Sequence, residues 1–119
     1  MGSNPTLSAQ FLDIFMKIKY YYQQVDKIRK EQIEEYFNEK KIKRITNLLH
    51  PKDLELALLD VRIEYFVHHN DFAVELTLII RKKKFFSEKR TFNLTEAFDV
   101  ALDNLVAQLH KLENKRHKK

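Results

Sequence analysis

The sequence predicts an α+β domain in which two helices cover one face of a four-stranded sheet, in the chain order β-α-β-β-β-α. Three observations carry that expectation. Three stretches place apolar residues on one face with a period of two, as half-buried strands do, and a fourth short stretch, Phe85–Phe92, also reads as a strand. Two longer stretches repeat apolar residues at three- and four-residue steps, as helices with one buried face do. A chain of 119 residues, 44% hydrophobic, with nine Phe, five Tyr, one Gly and two Pro, has room for one core and little special turn chemistry.

The first strand is read over Phe15–Val25, with Met16, Ile18, Tyr20 and Tyr22 inward and Lys17, Lys19 and Tyr21 outward. Asp26 is placed to cap a helix from Lys27 to about Leu49. That helix carries a phase fault. Ile33, Tyr36 and Phe37 form one stripe, and Ile42, Ile45, Leu48 and Leu49 a second one that lies around the cylinder from it. One inserted residue near Asn38–Lys41, absorbed as a π-bulge or kink, aligns the two; a break into two helices is the alternative. His50-Pro51-Lys52-Asp53 reads as a loop, because Pro51 biases His50 away from helix.

The second strand is read over Leu56–His68, with Val61, Ile63, Tyr65 and Val67 inward and Arg62, Glu64, Phe66 and His68 outward. His69-Asn70-Asp71 is the turn. A third strand, Phe72–Ile80, follows. Arg81-Lys82-Lys83-Lys84 is a basic connection, and Phe85–Phe92 the fourth strand. Asn93 caps the closing helix, with Glu96 placed to return the hydrogen bond. Leu94, Ala97, Phe98, Ala101, Leu102, Leu105, Leu109 and Leu112 are its buried stripe. Glu96, Asp99 and Asp103 sit early and Lys111, Lys115, Arg116, Lys118 and Lys119 late, as the helix dipole favours.

Residues 1–14 are expected to be a flexible leader and 15–119 a single domain with a basic tail. The chain has no cysteine, so a disulfide framework and thiolate metal sites are excluded, in keeping with a cytoplasmic location. It has no apolar run long enough to span a bilayer. No nucleophile motif, phosphate loop or metal-ligand spacing is present, so no enzymatic activity, cofactor, metal or small-molecule substrate is expected. His68 and His69 are adjacent on the expected strand and face opposite ways, a poor chelating pair. Asp99 and Asp103 are expected to be solvated carboxylates.

The formal charge of +5 is compatible with a polyanionic partner. Its distribution says more. Lys41, Lys43 and Arg44 fall late in the first helix; Lys111, Lys115 and Arg116 fall late in the second; Lys82, Lys83 and Lys84 fall at the third turn. Packed side by side, the two helices can join their cations into one surface, whereas lysines at a hairpin also protect sheet edges. Of the three adjacent tyrosines, Tyr21 alone is open for stacking on a base.

The order of residues Ala97 to Lys111, AFDVALDNLVAQLHK, resembles the closing helix of the bacterial ribosome hibernation promoting factors. That family includes the ribosome-associated inhibitor and the sigma-54 modulation proteins. Ala97, Asp99, Ala101, Asp103, Leu105, Gln108, Leu109 and Lys111 match the family pattern, with Asn93 at its first Asp; Thr95, Asn104, Val106 and Ala107 depart from it. Ile33–Phe37 and Ile42–Leu49 resemble the two halves of the family's first helix if one residue is inserted between them. The family's glycine-containing loop between strands three and four is absent.

The resemblance implies a short-form member with a fold akin to the double-stranded RNA-binding domain. It further implies a monomer that binds the 16S rRNA of the small ribosomal subunit in the mRNA and tRNA channel and keeps idle ribosomes inactive. On that reading Lys41, Lys43, Arg44, Lys82, Lys83, Lys84, Lys111, Lys115 and Arg116 contact rRNA phosphates. The competing readings are a free-standing double-stranded RNA-binding module and a protein-interaction domain.

Overall fold

The computed structural model describes residues 16–117, with side chains described as far as Leu112. The expected leader and the side chains of Lys115 and Arg116 lie outside the described residues. Strand β1 spans Lys17–Gln23 and alternates between exposed and half-buried positions, as its sequence requires. Asp26 then caps helix α1, Lys27–Tyr36, by accepting a hydrogen bond from the Arg29 N–H at 2.8 Å.

The phase fault is resolved by a π-helical turn over Phe37–Lys41. The Ile42 N–H reaches back five residues to the Phe37 carbonyl at 2.8 Å, which takes up the extra residue. Ile33, Phe37 and Ile45 are thereby all buried on one side. Helix α2, Lys43–Thr46, ends earlier than the stripe suggests. Leu48 and Leu49 lie in the tighter turn after it, where their N–H groups bond three residues back, and still pack on the core.

The expected loop at His50–Asp53 is instead the start of helix α3, Pro51–Leu56. Pro51 does hold His50 extended, but that is the conformation of a helix cap, and proline is favoured at the first helical position. The His50 Nδ1 accepts the Lys52 N–H at 3.2 Å. The six residues of α3 are too few to show a periodic stripe.

Strands β2 (Ala57–Phe66), β3 (Asp71–Ile80) and β4 (Lys83–Thr91) complete the sheet in the order β1-β2-β3-β4. β1 and β2 are parallel and the other pairs antiparallel. β2 stops at Phe66, so Val67 is exposed rather than inward, and His68 and His69 lie in the turn rather than on the strand. Asn70 closes that turn in the left-handed region, and its side chain accepts from the Tyr65 hydroxyl at 2.6 Å.

The β3–β4 connection needs only Arg81 and Lys82, since Ile80 pairs with Lys83. Arg81 adopts φ 57°, which a glycine would take without cost. Its Nε donates to Asp53 Oδ1 at 3.0 Å, and Asp53 is buried, so α3 braces the strained hairpin.

Helix α4, Leu94–His117, starts at Asn93, whose Oδ1 accepts the Glu96 N–H at 3.0 Å. Ala97, Phe98, Ala101, Leu102, Leu105, Val106 and Leu109 are buried against β3, β4 and the first helical run. Burying each leucine-sized side chain contributes about 1.5–3 kcal/mol. Ser87 of β4 donates to the Ala101 carbonyl at 2.6 Å, an approach that a larger side chain at Ala101 would crowd. Phe98 packs edge-on against Phe37, with ring centroids 5.3 Å apart, and so joins α4 to the π-helical turn.

Deleting Glu39, which is exposed within the π-helical turn, removes the extra residue and leaves a continuous α-helix with its stripes aligned. Urea unfolding is expected to leave this variant close to the parent in stability. Ile45→Ala, by contrast, opens a core cavity and should cost about 2–5 kcal/mol. A deletion as damaging as Ile45→Ala would refute this account of the π-helical turn.

Candidate nucleic-acid interface

Parallel pairing of β1 with β2 carries the intervening helical run across the sheet, where it lies alongside α4. Two tyrosines lock it there. The Tyr22 hydroxyl donates to Glu34 Oε2 at 2.6 Å, tying β1 to α1. The Tyr36 hydroxyl lies 2.8 Å from both oxygens of Asp99, tying α1 to α4. Burial first, and then the Glu34 carboxylate, pushes the Tyr22 hydroxyl upward from its ordinary range. Burial and the Asp99 bond push Tyr36 up to about 12.

This packing changes the expected role of the acidic residues on α4. Asp99 lies 4.0 Å from the Lys41 ammonium, and Asp103 bonds the Arg44 guanidinium. They remain solvated, Asp103 exposed and Asp99 half-buried, and they are also cross-helix partners of the basic run. Lys41 also sits 5.7 Å from the Tyr36 ring centre. Neither pair silences its cation. Both pairs remain partly exposed, and a guanidinium has five donors, so Arg44 can hold Asp103 and a phosphate together.

Lys43 and Lys111 are exposed and make no ion pair among the described residues. Lys43 and Arg44 share a shallow hollow of about 300 Å³ with Asn47, Leu48, Val106 and His110. The hollow sets Lys43 and Arg44 against Val106 and His110 of α4, whereas Lys111, expected to join them, does not line it. Asn47 and His110 are additions that composition does not single out. Asn47 lies one helical step after Lys43 and Arg44, and His110 immediately precedes Lys111; those spacings are the only signal in the sequence.

The hairpin lysines do not act as one group. Lys82 is in the turn, Lys83 shares the register row of buried Ile80, and Lys84 shares the row of Ile79 on the opposite face of the sheet. Lys82 and Lys83 line a second hollow, of about 400 Å³, that reaches Leu109 and Leu112 of α4 and shares Leu48 with the first. The two basic regions thus flank the same half of α4, with Lys84 turned away.

The open face of the sheet mixes charges of both signs. One register row reads Tyr21, Arg62, Glu75 and Glu88. The Arg62 guanidinium sits 4.4 Å from the Tyr21 ring centre, so the one tyrosine expected to be open for stacking already carries a cation over it. Arg90 covers Phe66 at 3.8 Å while pairing with Asp71 at 2.9 Å. Among the described residues no cluster of His, Asp and Glu could hold a metal ion, and no helix is long and apolar enough to cross a membrane.

The family profile described as Sigma 54 modulation protein / S30EA ribosomal protein matches residues 20–117. Among solved structures, a ribosomal subunit interface protein from Coxiella burnetii aligns with a TM-score of 0.60 at 14% identity, covering 83% of this chain and 99% of that one. The N-terminal domain of Protein Y from Thermus thermophilus aligns with a TM-score of 0.62 at 17% identity, covering 82% and 99%. At these identities the two structures speak for the fold. No curated protein sequence matches the chain.

Tyr36 gives a signed pH dependence. Its hydroxyl is raised in the fold from 10.0 to about 12, so the neutral form is the stabilising one. That stabilisation is complete below pH 10 and is lost as pH rises through about 12. The stability difference between the parent and Tyr36→Phe, measured by denaturant titration, should be constant below pH 10 and shrink above it. A difference that stays flat through this range would rule out the Tyr36–Asp99 link as drawn.

Proposed function

This chain belongs to the sigma 54 modulation protein / S30EA ribosomal protein family, and we propose that it is a non-enzymatic, ribosome-associated translation inhibitor that keeps idle ribosomes inactive. Its partner on this reading is the 16S rRNA of the small subunit, bound in the mRNA and tRNA channel. The acting unit is the domain read over residues 15–119, working as a cytoplasmic monomer. Steric exclusion of mRNA and tRNA is the mechanism, and electrostatic attraction holds the protein in place.

The observation that carries this reading is the set of basic side chains around the late part of α4: Lys43 and Arg44 at one hollow with His110, Lys82 and Lys83 at a second hollow across the helix, and Lys111 exposed on α4 itself. Cations on a rigid helical edge suit phosphate contacts, which release counterions and need no base-reading motif. Structured RNA is read largely by shape, for which a fixed array of charges is sufficient. Lys41 and Arg44 contribute through the donors that their carboxylate partners leave open. Lys115 and Arg116 continue α4 in sequence and extend the same basic run. The open sheet face, with its mixed charges, supports no comparable role.

Co-sedimentation with small subunits over a salt series tests the proposal. Binding should saturate and weaken with salt. Lys43→Glu combined with Lys111→Glu should reduce the slope of log affinity against log salt by about one unit for each phosphate that is no longer neutralised. Asp103→Asn should act in the opposite direction. It frees Arg44 and removes a negative charge, so affinity should rise, while stability should fall by no more than about 1 kcal/mol, as for an exposed pair. Equal affinity for any RNA duplex would make the chain a general duplex binder, and no RNA binding would end the reading.

A further inference from the structure

Beside the basic edge lies an apolar recess that phosphate binding alone does not use. Its volume is about 400 Å³, within the range of ligand sites, and Leu49, Ile80, Phe85, Leu109 and Leu112 form its apolar lining. Lys82 and Lys83 stand exposed at its lip without an ion pair among the described residues. The Arg81 side chain forms a polar wall, held by its bond to Asp53. Leu48 joins the recess to the hollow that holds Lys43 and Arg44, so the apolar surface lies within the cationic one.

We infer that the recess receives one unstacked nucleobase of the bound RNA, with an adjoining phosphate on Lys82 and Lys83. The inference rests on the reading that this face binds RNA, and it adds an interaction of a different chemical kind. The occupant must offer an apolar face to leucines and a phenylalanine and an anion to two lysines a short distance away. A bulged or looped-out nucleotide has both, and unstacked bases are held by aromatic rings and by guanidinium planes of the sort supplied by Phe85 and Arg81. The charge complementarity is local. The lip has cations outside any ion pair among the described residues, whereas the carboxylate in the recess, Asp53, is bonded to Arg81.

Three RNA hairpins of one stem sequence test this with the full chain: one with a single bulged adenosine, one with an abasic residue in the bulge, and one fully paired. Fluorescence anisotropy should show the bulged adenosine bound about tenfold more tightly than the abasic bulge. Leu112→Trp, which fills the recess, and Phe85→Leu, which removes its ring, should each abolish that preference. Both should keep the abasic affinity and the salt slope, with thermal melts confirming the fold. Lys82→Ala with Lys83→Ala should weaken all three complexes.

Equal, salt-sensitive binding of all three hairpins by the parent would overturn the nucleobase inference and leave the RNA reading standing. A preference that survives both recess variants would overturn it too. Saturable binding of decanoate, with no base preference, would assign the recess to an acyl chain instead. Failure of every hairpin and of small subunits to bind would remove the RNA reading itself.

Discussion

Parallel pairing between β1 and β2 governs how every other part of the molecule is arranged. Two parallel neighbours cannot be joined by a tight turn, so the chain between Gln23 and Ala57 must cross the sheet and return to the starting edge. The buried sides of β2 and β3 require an apolar cover, which that crossover and α4 provide together. The crossover is an imperfect helix by composition, and the π-helical turn keeps its two halves facing the same core. Phe37 and Phe98 then set the two helical layers against one another. Everything proposed about function lies along that seam or at its end.

The seam joins structural and electrostatic tasks in the same residues. Tyr36, Lys41 and Arg44 all address carboxylates of α4, and those carboxylates lower the net positive charge of the edge. Such exposed pairs contribute little to stability. They do fix the direction in which the long basic side chains point, which a phosphate-binding array requires. Lys43 on one side and Lys82 and Lys83 on the other flank the part of α4 beyond the acidic turns, where Lys111 itself lies; none of the four makes an ion pair among the described residues. The field of the edge therefore grows from the start of α4 toward its end, in the sense that the helix dipole also favours.

Signals in the chain are legible wherever the physics is local. Asp26 and Asn93 cap helices because their side chains reach N–H groups three residues on. The alternation in β3 puts Phe72, Val74, Leu76, Leu78 and Ile80 on the buried face, and all five are buried there. The phase fault at Asn38–Lys41 marks the π-helical turn. Short elements and strand ends are where the signal fails. Pro51 reads as a stop yet begins α3, and Val67 keeps the inward phase of β2 although the strand ends before it. Six residues of helix and one residue of strand are too short for a period to register.

Residue order alone is enough for the α+β succession, the buried stripes, the family resemblance and the residue types available to an anionic partner. Periodicity, capping and motif order are properties of neighbouring residues, and they exist before anything folds. Which charges meet is a matter of packing. Tyr36 and Asp99 are 63 residues apart, Arg44 and Asp103 are 59, and Arg81 and Asp53 are 28. Lys83 and Lys84 are adjacent in sequence yet face opposite sides of the sheet, because a strand turns successive side chains apart. The apolar recess among the cations has the same origin. Its walls come from separate elements, and no local pattern records a surface that exists only once they are packed together.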